Sequence, residues 1–151
     1  MPLNTLFVYG SLMRGGRNAS VLKGARFLGE ARTCGRHLLH LGWAWPLLIE
    51  QAPDELAAPV CGELYEVPPR LWPRLDALED EGALYRRRVV DVCLADGTRR
   101  RAWCYFAHAP WLIARALAAP KPFFDEKWGC QRFSPAKSGR FRGAEKVIRQ
   151  K

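Results

Sequence analysis

An Asp96-Gly97 dipeptide stands between two strand-like runs, Tyr85–Leu94 and Thr98–Ala107. Asp-Gly is a strong local signal for a hairpin closed by a two-residue turn. An isolated hairpin is barely stable in water, so the chain must supply further strands to cover it. Thr5–Tyr9, Ala25–Ala31, Gly35–Leu41, Leu47–Glu50 and Val60–Val67 read as those strands, separated by breaks at Gly10-Ser11, Cys34-Gly35 and Gly42…Pro46. Helical spacing is confined to a short stretch after Leu71 and to Trp111–Ala119, which Pro120 and Pro122 stop. Many strands and few helices predict an α+β fold, a small mixed and strongly curved β-barrel with a few short helices.

A length of 151 residues fits one domain, with 48% hydrophobic and 26% charged residues excluding a disordered chain. We place the domain at residues 1–119 and a basic, aromatic-containing segment, partly packed on it, at 120–151. That segment holds nine Lys/Arg against Asp125, Glu126 and Glu145, and so carries most of the formal charge of +9. No apolar run reaches the ~20 residues of a membrane span, and MPLNTLFVYG lacks the pattern of a secretory signal. Cys34, Cys61, Cys93, Cys104 and Cys130 include no C-x-x-C pair. A two-residue turn sets Cys93 opposite Arg100 and Cys104 opposite Val89, so those thiols do not meet. Five reduced, buried cysteines in a cytoplasmic protein are expected.

The stretch Leu71–Tyr85 holds the most pointed chemical signal. At about 100° per residue, Leu71, Trp72, Leu75 and Leu78 form one apolar stripe. Glu79 falls inside that stripe, about 40° from Leu75, whereas Asp76, Asp80 and Glu81 fall outside. A carboxylate turned toward an apolar interior tends to hold its proton more tightly, as a general base near neutral pH requires. The bland alternative is a solvated glutamate at a frayed helix end, since Pro73 belongs near the first turn.

Gly10 closes the first strand and lets the backbone turn sharply, so successive N–H groups can converge on an anion. Other sites fail on spacing. Gly16 and Arg17 stand where a phosphate loop needs Lys and Ser/Thr, and Ser11 lacks the G-x-S-x-G elbow. His37 and His40, three apart on a strand, point to opposite faces, so no metal site is expected.

Taken in order, Tyr9-Gly10-Ser11-Leu12, the Gly42…Pro46 break, Val60-x-Gly62-Glu63-Leu64-Tyr65, Leu75-Asp76-x-x-Glu79 and Tyr85-x-Arg87 resemble the gamma-glutamylcyclotransferase-like proteins. The likeness is greatest to the small gamma-glutamylamine cyclotransferase branch and covers roughly residues 3–107. It implies a mixed barrel that cyclises a gamma-glutamyl group to 5-oxoproline and releases the amine. Glu79 would be the catalytic base, with Glu81 a competing alignment because the family glutamate is commonly followed by glycine and here Asp80-Glu81-Gly82 follows. Tyr9, Gly10, Ser11 and Leu12 would hold the substrate's α-carboxylate through backbone N–H groups. Tyr85 and Tyr105 complete the expected substrate-binding set, Tyr105 as a donor to the oxyanion. The implied partner is a small gamma-glutamyl molecule, with no cofactor, metal or membrane. The rival reading is a non-catalytic barrel that binds nucleic acid or another acidic partner through its basic tail.

Overall fold

The computed structural model describes residues 2–41 and 46–134; the Gly42–Trp45 part of the expected break and the basic stretch 135–151 lie outside the described residues. Five strands close a barrel: β1 (Thr5–Val8), β2 (Arg26–Thr33), β5 (Cys61–Glu66), β6 (Tyr85–Leu94) and β7 (Arg99–Ala107), in the order β1-β5-β2-β6-β7. Every neighbouring pair is antiparallel except β1 with β7, which run parallel where Leu6 meets Trp103 and so complete the ring. Closure removes both sheet edges. The short strands β3 (Leu38–His40) and β4 (Leu47–Ile49) form a separate hairpin, and β8 (Phe124–Asp125) pairs with β9 (Cys130–Gln131). Two helices follow the expected stretches, α1 at Trp72–Leu78 and α2 at Pro110–Ala118. Among the described residues no helix is long and apolar enough to cross a membrane.

The interior is filled by Leu6 and Phe7 of β1, Leu64 of β5, Val92 of β6 and Phe106 of β7, with Leu75 and Leu112 reaching in from the helices. β3 and β4 are buried along their whole length, so this hairpin packs as core rather than as surface flap.

Two expectations need correction. The β6–β7 turn has three residues, not two: Leu94 pairs with Thr98 across Ala95-Asp96-Gly97, and Gly97 takes φ 88°. A type I turn followed by a left-handed glycine is the other common hairpin closure. The register therefore shifts by one, setting Cys93 against Arg99 and Cys104 against Arg88, and a shift of one residue exchanges facing partners along the entire ladder. The cysteines are also not all reduced: Cys61 and Cys130 form a disulfide across a sequence separation of 69.

That bond helps fix residues 123–133 on the domain. The adjacent Gln131 is buried, and its side-chain amide donates to the carbonyls of His37 (2.6 Å) and Ala58 (2.9 Å) while accepting from the Leu39 N–H (2.8 Å). Replacing Gln131 by Leu leaves the buried Leu39 N–H without its acceptor and removes the second donor from the His37 and Ala58 carbonyls, which still accept from each other's backbone N–H. Urea unfolding of Gln131→Leu is expected to show a loss of about 1–3 kcal/mol, the cost of one unpaired buried group, concentrated in protection of the β3–β4 amides.

His40 gives the fold a pH dependence. Its Nδ1 accepts from the Lys121 N–H at 3.3 Å, so the ring is neutral there. Burial first, and the Lys121 charge second, hold its pKa below the ordinary 6.5. The unfolded chain then binds the proton more readily, and stability falls as pH drops below the ordinary histidine value. His40→Gln, which keeps an acceptor, is expected to flatten that acid limb in urea titrations run from pH 7.5 to pH 5.

Candidate active site

The end of β1, the end of α1, the start of β6 and the last part of β7 meet around one cavity of about 50 Å³. Tyr9, Gly10, Ser11 and Leu12 form one wall, and Glu79, Tyr85 and Tyr105 face them, with Phe7, Pro46, Leu78 and Leu84 closing the rest. All seven site residues expected from the sequence thus line a single space. Glu81 does not: it is exposed, and its carboxylate accepts from the Arg87 N–H at 3.2 Å.

The turn after β1 is built for close approach. A Cβ on Gly10 would stand 2.6 Å from the Pro46 ring. Downstream, Met13 N–H donates to the Gly10 carbonyl and Arg14 N–H to the buried Glu63 carboxylate. Arg14 Nε and the Tyr65 hydroxyl also donate to Glu63, at 3.2 and 3.0 Å, which anchors the loop to β5. The N–H groups of Gly10, Ser11 and Leu12 make none of the described hydrogen bonds, and all three residues line the cavity. This wall supplies donors.

The tyrosines of the lining supply acceptors. Tyr9 Oη donates to the Tyr105 carbonyl (2.5 Å), Tyr85 Oη to the Pro46 carbonyl (3.0 Å) and Tyr105 Oη to Asp76 Oδ1 (2.7 Å). A phenol has one proton to give, so all three can only accept a further hydrogen bond. The oxyanion-donor role expected of Tyr105 is therefore corrected, because its proton is committed to Asp76. Burial is the main cause holding Tyr9 and Tyr105 well above the usual phenol range, reinforced for Tyr105 by Asp76 and for both by the Glu79 charge. Both stay protonated at neutral pH.

Asp76 and Arg87 are the residues the sequence reading left without a role. Arg87 Nε lies 2.9 Å from Asp76 Oδ1 and its Nη2 donates to Oδ2 at 3.1 Å. The guanidinium stacks between Trp72 and Trp103, 4.7 and 5.1 Å from the ring centres. This half-buried pair fixes the acceptor that orients Tyr105. The signal in the sequence was the one-turn spacing of Asp76 and Glu79.

Glu79 is the C-cap residue directly after α1 and is half-buried. Beyond it Asp80 takes φ 50°, Asp80 N–H bonds the Ala77 carbonyl, and Glu81 N–H bonds the Asp76 carbonyl at 2.9 Å. That is a Schellman stop, whose left-handed position glycine fills most cheaply. Asp80→Gly is expected to keep the fold and gain up to about 1 kcal/mol in urea unfolding. A clear loss of stability would show that the aspartate side chain, not the backbone turn, holds this helix end.

Comparison with known proteins identifies the family. Residues 6–129 match the family described as gamma-glutamyl cyclotransferase, AIG2-like. A Methanocaldococcus jannaschii protein provisionally named a gamma-glutamylcyclotransferase is 34% identical over 102 residues, covering 67% of this chain and 82% of that one. A Vibrio cholerae protein of the same provisional name is 34% identical over 100 residues, 66% of this chain and 78% of its own length. The crystal structure of an AIG2-like protein from Mus musculus superposes with a TM-score of 0.61 at 26% identity, over 75% of this chain and 84% of that one. The chain belongs to the gamma-glutamyl cyclotransferase, AIG2-like family.

Proposed function

We propose that the protein is a gamma-glutamyl cyclotransferase that converts a gamma-glutamyl amine to 5-oxoproline and the free amine. The observation that carries this reading is the split lining of the cavity, in which the turn residues Gly10–Leu12, with backbone N–H groups outside the described hydrogen bonds, meet tyrosine oxygens that can only accept and the carboxylate of Glu79. An α-amino acid head presents the complement of that lining, a carboxylate beside an ammonium.

In this mechanism the Gly10–Leu12 N–H groups hold the α-carboxylate, and the oxygens of Tyr9, Tyr85 and Tyr105 receive the ammonium. Glu79 takes one ammonium proton. The freed amine attacks the γ-carbonyl five atoms round the ring, giving a tetrahedral oxyanion. Collapse breaks the bond to the departing amine as Glu79 returns its proton to that nitrogen, and the ring nitrogen gives up its second proton through Glu79 to solvent, leaving the neutral lactam and the free amine. Holding the substrate folded can supply several kcal/mol, up to ~7–11 in well-oriented systems. The left-handed turn at Asp80 supports aligning Glu79, rather than Glu81, with the glutamate that the family commonly follows with glycine.

The test is turnover of gamma-glutamyl amines followed by 5-oxoproline release. Glu79→Gln is expected to lose about 10²–10⁴-fold in kcat, with an unchanged circular dichroism spectrum, while Glu81→Gln keeps its rate. A fully active Glu79→Gln protein, or no 5-oxoproline from any gamma-glutamyl amine or amide, would refute the reading.

A further inference from the structure

Four of the five cysteines lie around the β2–β5–β6 side of the barrel, away from the cavity lined by Glu79. Arg32 of β2 sits opposite Cys61 of β5 on one side and opposite Cys93 of β6 on the other. Cys61 is bonded to Cys130. Cys34, in the bend that ends β2, brings its Sγ to 2.9 Å from Cys93 Sγ. Two free thiols this close, across strands already held in register, need only a small side-chain rotation to reach the ~2.05 Å of a disulfide.

The surroundings also favour a reaction partner. Two adjoining clefts of about 410 and 330 Å³ share Arg32, Cys93 and Gly97. Arg132 and Trp128 line the larger, together with the single carboxylate Glu30, and Cys34 and Arg99 line the smaller. Both thiols are partly accessible, unlike the buried Cys104. The two faces of this cleft are thus sulfur below and guanidinium around it.

We propose that Cys34 and Cys93 are a reversible dithiol–disulfide site that exchanges with small disulfides bearing carboxylates. The Cys34 thiolate attacks one sulfur of the small disulfide, forming a mixed disulfide and expelling one thiolate. Cys93, deprotonated in turn, attacks the Cys34 sulfur and expels the second. The protein loses two electrons and two protons, and the small disulfide is reduced to two thiols. Burial and the neighbouring Cys93 thiol push Cys34 up, while Arg99 pulls it back down, so exchange should quicken as pH rises into the alkaline range. The new bond would reinforce the β2–β6 seam, where only Ala31, Arg32 and Thr33 are registered against Leu94, Cys93 and Val92. This inference does not depend on the proposed cyclisation.

The experiment exposes the full-length protein to oxidised glutathione (anionic), hydroxyethyl disulfide (neutral) and cystamine (cationic), then alkylates and maps peptides by mass spectrometry. Expected are a Cys34–Cys93 cross-link that dithiothreitol reverses, an untouched Cys104, and a mixed disulfide trapped on Cys34 in Cys93→Ser. The anionic probe should react about tenfold faster than the cationic one, and Arg32→Gln/Arg99→Gln should erase that preference. Recovery of both thiols alkylated after oxidation, or a cross-link from either to Cys61 or Cys130, overturns the site. Equal rates for the three probes overturn its selectivity. The wild-type peptide map decides these points even if a variant fails to fold.

Discussion

The parallel contact between β1 and β7 is the joint on which the rest of the molecule depends. It joins strands almost a hundred positions apart along the chain, and three ties run along it. The Thr5 hydroxyl donates to the Arg101 carbonyl, Leu6 faces Trp103, and the Tyr9 hydroxyl donates to the Tyr105 carbonyl. The first two close the barrel, and the third is already part of the cavity. Without that joint, the Gly10 turn and the Glu79 end of α1 would have no common reference frame. Loop closure on this scale costs entropy, and the fully buried Leu6 and Phe7 beside the joint show what offsets it.

Polar groups in the cavity are arranged by commitment rather than by number. Each phenol gives its proton to a fixed protein acceptor, and the most remote of those acceptors, Asp76, is itself held by Arg87. A half-buried ion pair of this kind contributes little to stability by itself. Its effect here is directional: it decides which way the Tyr105 hydroxyl faces, and so whether the cavity sees a donor or an acceptor. The same side chain placed without Asp76 could present either.

What the sequence made legible follows from period and punctuation. The β6 and β7 runs, the apolar stripe of α1 and the turn at Gly10 all announce themselves within a few residues. What it hid depends on contacts far apart in the chain. The hairpin register slipped by one because Asp-Gly fits two turn types, and only the packing of Cys104 and Ala102 into the core selects between them. The Cys61–Cys130 bond and the Gln131 amide are invisible locally, since their partners belong to β5 and to the segments around β3. Asp76 falls outside the apolar stripe of Leu71, Trp72, Leu75 and Leu78, so periodicity gives it no partner. It in fact faces a tyrosine from β7 that helical periodicity cannot foresee.

The side chains near the cavity that could attack a carbonyl are each restrained. The Ser11 hydroxyl accepts from the Asn18 amide at 2.9 Å, and among the described residues no histidine lines the cavity to activate it. Cys104 is buried, and its thiol is pushed up first by that burial and then by the charges of Glu79 and Glu50. A thiol in that setting stays protonated and is a poor nucleophile. Covalent catalysis through either side chain would therefore need it to be activated, and neither makes a described hydrogen bond to a base. An intramolecular reaction needs no protein nucleophile, because the substrate carries its own amine and asks the protein only for a shape, a charge balance and one carboxylate to carry a proton. The restraint of Ser11 and Cys104 thus supports the same reading as the split lining, and it does so from side chains that take no part in the proposed chemistry.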